Sequence, residues 1–245
     1  MTYVDAHCHI FKEYYSNPEL IIEACKEVHM LVTGTNLLTN KEILALKQTN
    51  VDIAMGAYPI DLLNGLNITD VLEQIEENIN EIVAVGEIGL DLHHATRESL
   101  PQQIEHITKL VKLANKYQKP VVVHSRKAEK EVIELLPKIA TVPVLNHCFS
   151  GRKNLVKKGV EAGMYFSIPS NVVHSTHFQT LVKIIPITQL LTETDSPYLW
   201  KEFPNTPNTV KHSIKKIAEI KGMKEDDVKQ QIYQNYCRIF KTHKK

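Results

Sequence analysis

Asp5-Ala6-His7-Cys8-His9 sets two imidazoles one residue apart inside a short apolar run. Side chains on a strand alternate between faces, so a strand here points His7 and His9 one way and Cys8 the other. Two imidazoles on one face can grip a divalent metal, although a lone His-x-His is weak evidence. Four more metal-competent residues stand at the ends of apolar runs. They are Glu87 in Gly86-Glu87-Ile88-Gly89-Leu90-Asp91, His124 after Val121-Val122-Val123, His147 after Asn146, and Asp195 after Glu193-Thr194. The chemistry such a set would perform is hydrolysis by a metal-activated water.

The elements that must position these residues follow from the hydrophobic pattern. Apolar runs predict strands over 3–8, 30–34, 51–57, 82–87, 120–124, 142–147, 164–168 and 189–194. Most lack polar alternation, as parallel strands buried on both faces do. Helical stripes fill the gaps: Ile104, Ile107, Val111 and Ala114; Val132, Leu135 and Leu136; and Val228, Ile232, Ile239 and Phe240 within 225–241. Eight strands, each followed by a helical segment, predict an α/β fold, a (β/α)8 TIM barrel. An open doubly wound sheet would want a glycine-rich phosphate loop after an early strand, and none is present. Residues 58–67 are irregular and carry no assignment. The length of 245 residues suits a single domain spanning 1–245.

On that barrel His7, His9, Glu87, His124, His147 and Asp195 all fall at carboxyl ends of strands, the face where barrel enzymes carry their active sites. Alternation also puts Arg126 on the face of His124, and Glu193 on that of Asp195. A single catalytic ion takes about three protein ligands and a water. Six ligands fit two divalent cations sharing a carboxylate. The expected bridge is Glu87, which comes from a central strand and has two oxygens to share. Imidazole and carboxylate suit zinc, manganese or a similar ion without choosing among them. The charge left on two such ions, with Arg126 alongside, would welcome an anion such as a phosphodiester.

In that scheme a metal-bound hydroxide attacks phosphorus. Asp195 is the candidate to take the proton. Arg126 is a candidate phosphate contact, and Glu193 a candidate carboxylate behind the ligands. A small-molecule ester, amide or lactone would suit the same chemistry.

Composition narrows the field. Lys and Arg total 29, Asp and Glu 28, for a net charge of +1, which argues against a surface that wraps duplex nucleic acid. No apolar stretch approaches the ~18 residues of a spanning helix, and no basic-then-apolar leader opens the chain. Cys8, Cys25, Cys148 and Cys237 form no metal-finger spacing, so free thiols in a reducing cytoplasm are expected. Cys8 and Cys148 are expected to face away from the metals. His93 and His94 are expected in a solvated loop. His29, His106, His174, His177, His212 and His243 are expected to be structural or exposed. Ser150-Gly151 reads as a helix cap and Ser196-Pro197 as a turn. The pattern is silent on oligomeric state.

Taken together, the motifs resemble the TatD family of metal-dependent hydrolases and deoxyribonucleases. The resemblance spans nearly the whole chain. It rests on Asp5-Ala6-His7-Cys8-His9, Gly86-Glu87-Ile88-Gly89-Leu90-Asp91, His124-Ser125-Arg126 with Ala128, Asn146-His147-Cys148-Phe149-Ser150-Gly151, Glu193-Thr194-Asp195-Ser196-Pro197-Tyr198-Leu199, and Asn235 with Ile239-Phe240. The chain departs from the family pattern at Leu92-His93-His94 and at Asn205-Thr206-Pro207. The resemblance implies a barrel of the amidohydrolase-like kind with one or two divalent ions. It implies that His7, His9, Glu87 and Asp195 hold the first ion, and Glu87, His124 and His147 the second. It also implies phosphodiester hydrolysis on DNA, often from a free 3′ end, with magnesium supporting activity in some members; the expected substrate is a DNA end (a 3′-end exonuclease) or short single-stranded DNA.

Overall fold

Val and other apolar residues make up most of the strands because both faces of each are covered, and the computed structural model, which describes residues 2–240, shows how. The strands are β1 (Tyr3–Cys8), β2 (Val28–Thr33), β3 (Val51–Met55), β4 (Ala84–Gly89), β5 (Val121–His124), β6 (Val144–Asn146), β7 (Tyr165–Pro169) and β8 (Leu190–Glu193). They form one sheet in the order β1 to β8, every ladder parallel. Beyond β8 the circle returns to β1. The Asp195 amide donates to the His7 carbonyl (3.0 Å), the His9 amide to the Ser196 carbonyl (2.7 Å), and the Thr192 hydroxyl to the Val4 carbonyl (2.6 Å). The first and last strands are thus stapled together beside His7, His9 and Asp195. This is the (β/α)8 TIM barrel that the periodicity predicts.

Helices pack around the sheet through their apolar stripes. They are α1 (Pro18–Ala24), α2 (Leu37–Leu44), α3 (Pro59–Leu63), α4 (Ile68–Glu77), α5 (Leu100–Lys116) and α6 (Glu129–Ile139). After them come α7 (Lys153–Glu161), α8 (Thr176–Ile184), α9 (Val210–Lys221) and α10 (Glu225–Phe240). Asn17, Asn67 and Ser175 cap α1, α4 and α8, and Asn36 with Thr39 forms a full capping box on α2. Gly222 ends α9 in the left-handed conformation (φ 64°) that a glycine adopts without penalty. No helix among the described residues is long and apolar enough to cross a membrane.

Several expectations shift in detail. β2 begins two residues earlier than its apolar core, because His29 is accommodated against Asp52 (2.7 Å). β4 runs to Gly89, so Glu87 lies inside the strand instead of at its end. The unassigned stretch 58–67 contains the short helix α3, opened by Pro59. Ser150 does not cap α7: Arg152 precedes that helix, and the Ser150 hydroxyl donates to Glu129 (2.6 Å). Lys241 and His243 lie outside the described residues.

Candidate metal centre

β1 delivers the His-x-His pair as strand alternation requires. His7 Nε2 and His9 Nε2 lie 3.1 Å apart, both rings buried, while Cys8 turns away and its thiol meets the Leu31 carbonyl (3.6 Å). His9 Nδ1 is 2.8 Å from the Thr33 carbonyl. That bond makes Nδ1 the donor and leaves the Nε2 lone pair free for a metal.

Glu87 sits at the middle of the cluster. Its Oε2 is 3.4 Å from His7 Nε2 and 3.4 Å from His9 Nε2. Its Oε1 is 2.8 Å from His124 Nδ1 and 3.2 Å from His147 Nε2. The two oxygens of one carboxylate therefore serve two different histidine pairs. Close backbone approach makes room for this. A Cβ on Gly89 would meet the His124 carbonyl oxygen at 2.0 Å, and one on Gly86 would meet the Val122 Cβ at 2.6 Å. Only glycines let β4 lie this near β5.

Asp195 completes the first pair. Its Oδ1 is 3.7 Å from His7 Nε2 and 3.6 Å from His9 Nε2. It is not presented by strand alternation, because β8 ends at Glu193 and Asp195 adopts a left-handed backbone (φ 53°). Cys148 (φ 42°) follows His147, and Lys127 (φ 60°) lies just past His124, in the same unusual conformation. Non-glycine residues pay about 1–2 kcal/mol for it, and such strain collects at functional sites. The expectation that Cys148 faces away by alternation therefore has no strand to rest on.

Donor atoms of His7, His9 and Asp195 lie within 4.8 Å of one another, and so do those of His7, Glu87 and His147. The electrostatics fit a cation. Burial alone would raise the Glu87 carboxyl, but His147, His124 and His7 hold it well below its usual range. Burial would lower His124, yet Asp91 and Glu87 push it up to about 9, so a cation bound there would have to displace a proton from this ring. Burial and the neighbouring His147 push His7 down, keeping its ring neutral as a ligand must be. An anionic carboxylate among imidazoles, buried away from water, is a donor set for a divalent cation.

Two carboxylates that received no role in the sequence reading support this set. Asp91 accepts from His124 Nε2 (2.9 Å), the Tyr58 hydroxyl (2.6 Å) and the amides of His93 and His94 (both 2.7 Å). It fixes the His124 ring so that Nδ1 faces Glu87, the carboxylate–histidine arrangement common behind metal ligands. His94 is the exposed loop residue expected, and its Nδ1 also reaches Asp91 at 3.0 Å on the cavity wall. Asp5 is fully buried. It accepts from the His7 amide (3.3 Å), the Thr194 amide (2.9 Å) and the Thr194 hydroxyl (2.5 Å), and burial raises its carboxyl to about 7. It braces the segments that carry His7 and Asp195. Strand alternation from His7 would have pointed to Asp5. No local signal marks the partnership of Asp91 with Tyr58, which comes from two loops.

Glu193 and Arg126 separate in the structure. Glu193 is fully buried, accepts from Ser167 (2.5 Å) and lies 3.8 Å from His147 Nδ1. Burial and Asp195 push its carboxyl well above the usual range. It has no route to a ligand in the cavity, so its place is behind His147. Arg126 is exposed on the cavity wall and makes no ion pair among the described residues. The cavity, of about 640 Å³, also exposes His9, Glu87, His124, His147 and Asp195.

A model of the TatD related DNase family matches residues 4–241. The chain belongs to the TatD family. It is thus a metal-dependent hydrolase of the TatD deoxyribonuclease type. It is 37% identical to an uncharacterized metal-dependent hydrolase of Methanocaldococcus jannaschii, over 98% of this chain and 97% of that one. It is 31% identical to the deoxyribonuclease TATDN3 of Homo sapiens, over 97% of this chain and 94% of that one. Among solved structures, the TatD homologue YJJV of Escherichia coli superposes with a TM-score of 0.85 at 24% identity, over 98% of each chain. That likeness concerns the fold alone.

Proposed function

We propose that this TatD protein is a metal-dependent phosphodiesterase, a deoxyribonuclease acting at DNA ends or on short single-stranded DNA. In this reading His7, His9, Glu87 and Asp195 hold one divalent cation, and Glu87, His124 and His147 hold a second. The observation that carries it is the division of the Glu87 oxygens, Oε2 toward His7 and His9 and Oε1 toward His124 and His147. Magnesium, manganese and zinc are the cations this imidazole and carboxylate set admits. Bound there, two such cations would supply positive charge to both the attacking and the leaving oxygen of a phosphodiester and acidify a water.

The chain's own groups do the rest. Asp195 Oδ1 faces the histidine pair, which leaves Oδ2 to take the proton of the attacking water. Arg126 stands on the cavity wall to pair with a non-bridging phosphate oxygen. Asp91 positions His124 from behind through a hydrogen bond, and Glu193 stands 3.8 Å behind His147 without one. Glu13 and Asp61 on the cavity wall would repel the further phosphates of a long duplex, which supports an end or a short strand as substrate. The four cysteines are free, which supports a cytoplasmic setting.

Hydrolysis of a small-molecule ester, amide or lactone is not favoured, since the TatD related DNase family model spans the chain and a whole-length relative is a deoxyribonuclease. Cleavage of an end-labelled single-stranded oligonucleotide tests the proposal. Cleavage should vanish with a chelator, return with added divalent cation, and fall in His124→Ala. Turnover of esters or lactones with DNA left intact would overturn it.

A further inference from the structure

One wall of the cavity is unlike the others. Thr35, Asn36, Thr39 and Asp61 make a polar side, whereas an aromatic strip runs outward from His9. The Phe11 ring centre lies 5.3 Å from that of His9, and Tyr14 lies 6.2 Å from Phe11. Tyr198 lies 6.5 Å from His9 and 5.7 Å from Tyr14, and Phe203 packs edge-on to Tyr14 at 6.4 Å. Phe11 is buried at 4%, but Tyr198 is 43% exposed and Phe203 67%.

Leaving aromatic faces in water costs free energy that burial would recover. The hydroxyls of Tyr14 and Tyr198 are bonded to each other at 2.7 Å, which commits one of their two protons and fixes the two rings relative to one another. What the strip presents is ring surface, with Tyr198 and Phe203 largely open to solvent, and it starts at a residue proposed to hold a cation. A ligand that fits carries a flat π-system a short reach from a phosphate. Nucleobases meet that description, and stacking tolerates every base because each has a π-face. A base inside a duplex already has both faces covered, so an unpaired base is the one that can use the strip.

We propose that Tyr198 and Phe203, held in place by Tyr14, form a stacking platform for the unpaired nucleobase next to the phosphate being cleaved. The inference rests on the phosphodiesterase reading and adds which part of the substrate is recognised. Phe11, buried beneath, supports the strip and does not meet the base.

Two chromogenic diesters with one leaving group test it: thymidine 5′-(p-nitrophenyl phosphate), and methyl p-nitrophenyl phosphate, which lacks a base. Stacking of about 1–3 kcal/mol per base corresponds to a preference for the thymidine diester of roughly 5- to 150-fold, carried mainly by KM. Tyr198→Leu combined with Phe203→Leu should bring that preference to within about twofold of unity, while Tyr198→Trp, which keeps a π-face, should retain it. An unaltered preference in the double variant would overturn the platform, as would its absence in the unmodified protein; the phosphodiesterase reading would survive either result. Failure of the unmodified protein to hydrolyse either diester with any of the three cations would instead overturn that reading and the platform with it.

Discussion

The two ends of the barrel carry the same pair of residue types and put them to different ends. At the mouth, His124 donates to Asp91 at 2.9 Å with the Tyr58 hydroxyl on the same carboxylate. At the base, His29 lies 2.7 Å from Asp52 with the Tyr236 hydroxyl on that carboxylate at 3.0 Å. What distinguishes them is the second imidazole nitrogen. At the mouth it faces Glu87 and a cavity shared with three further ligand candidates. At the base no such cluster of donor atoms assembles among the described residues. A histidine–carboxylate–tyrosine constellation is therefore not a functional signal by itself. Convergence of further donors on an open cavity is.

Backbone strain follows the same division. Lys127, Cys148, Asp195 and Leu199, all left-handed, lie in loops at the mouth, and among the described residues Gln118 alone of the five such non-glycine residues turns into a strand at the base.

Breaking the mouth should cost most. Glu87→Gln keeps the size of the side chain and removes the charge that both histidine pairs share. Activity should fall by more than the roughly 100-fold that marks the upper range for a supporting residue, and melting curves should lose their response to added divalent cation. Asp91→Asn comes next: an amide holds His124 less firmly, so metal affinity or activity should fall about 10- to 100-fold. Calorimetric titration with zinc would measure it.

The matching change at the base, Asp52→Asn, weakens the bonds from His29 and Tyr236. It should destabilise the protein by about 1–3 kcal/mol in urea unfolding while leaving metal affinity as it was. An equal loss of metal binding in both variants would erase the distinction drawn between the two ends. Smallest of all, Gln118→Gly relieves a left-handed residue far from the cavity. It should change stability by no more than about 1 kcal/mol, in the stabilising direction, with activity untouched.

Much of this architecture was legible in the residues. The eight apolar runs locate all eight strands because parallel strands buried on both faces admit few polar residues. Alternation correctly turns His7 and His9 to one side and Cys8 to the other. It fails at Asp195 because the strand has already ended and a left-handed turn aims the carboxylate. Asp91 and Tyr58 could not be paired in advance, since they meet across 33 positions through loops whose paths no periodicity encodes. Asn205 shows a different gap. It is buried and ties the Thr194 and Tyr198 carbonyls together, a role that no local pattern marks.

The central claim is that Glu87 stands between two cations at the mouth of the barrel. Anomalous diffraction from crystals soaked in manganese tests it most directly. The account predicts two peaks, one among His7, His9 and Asp195 and one among His124 and His147, with a Glu87 oxygen on each. Peaks that leave Glu87 without a metal, or that appear at His29 and Asp52 instead, would contradict it.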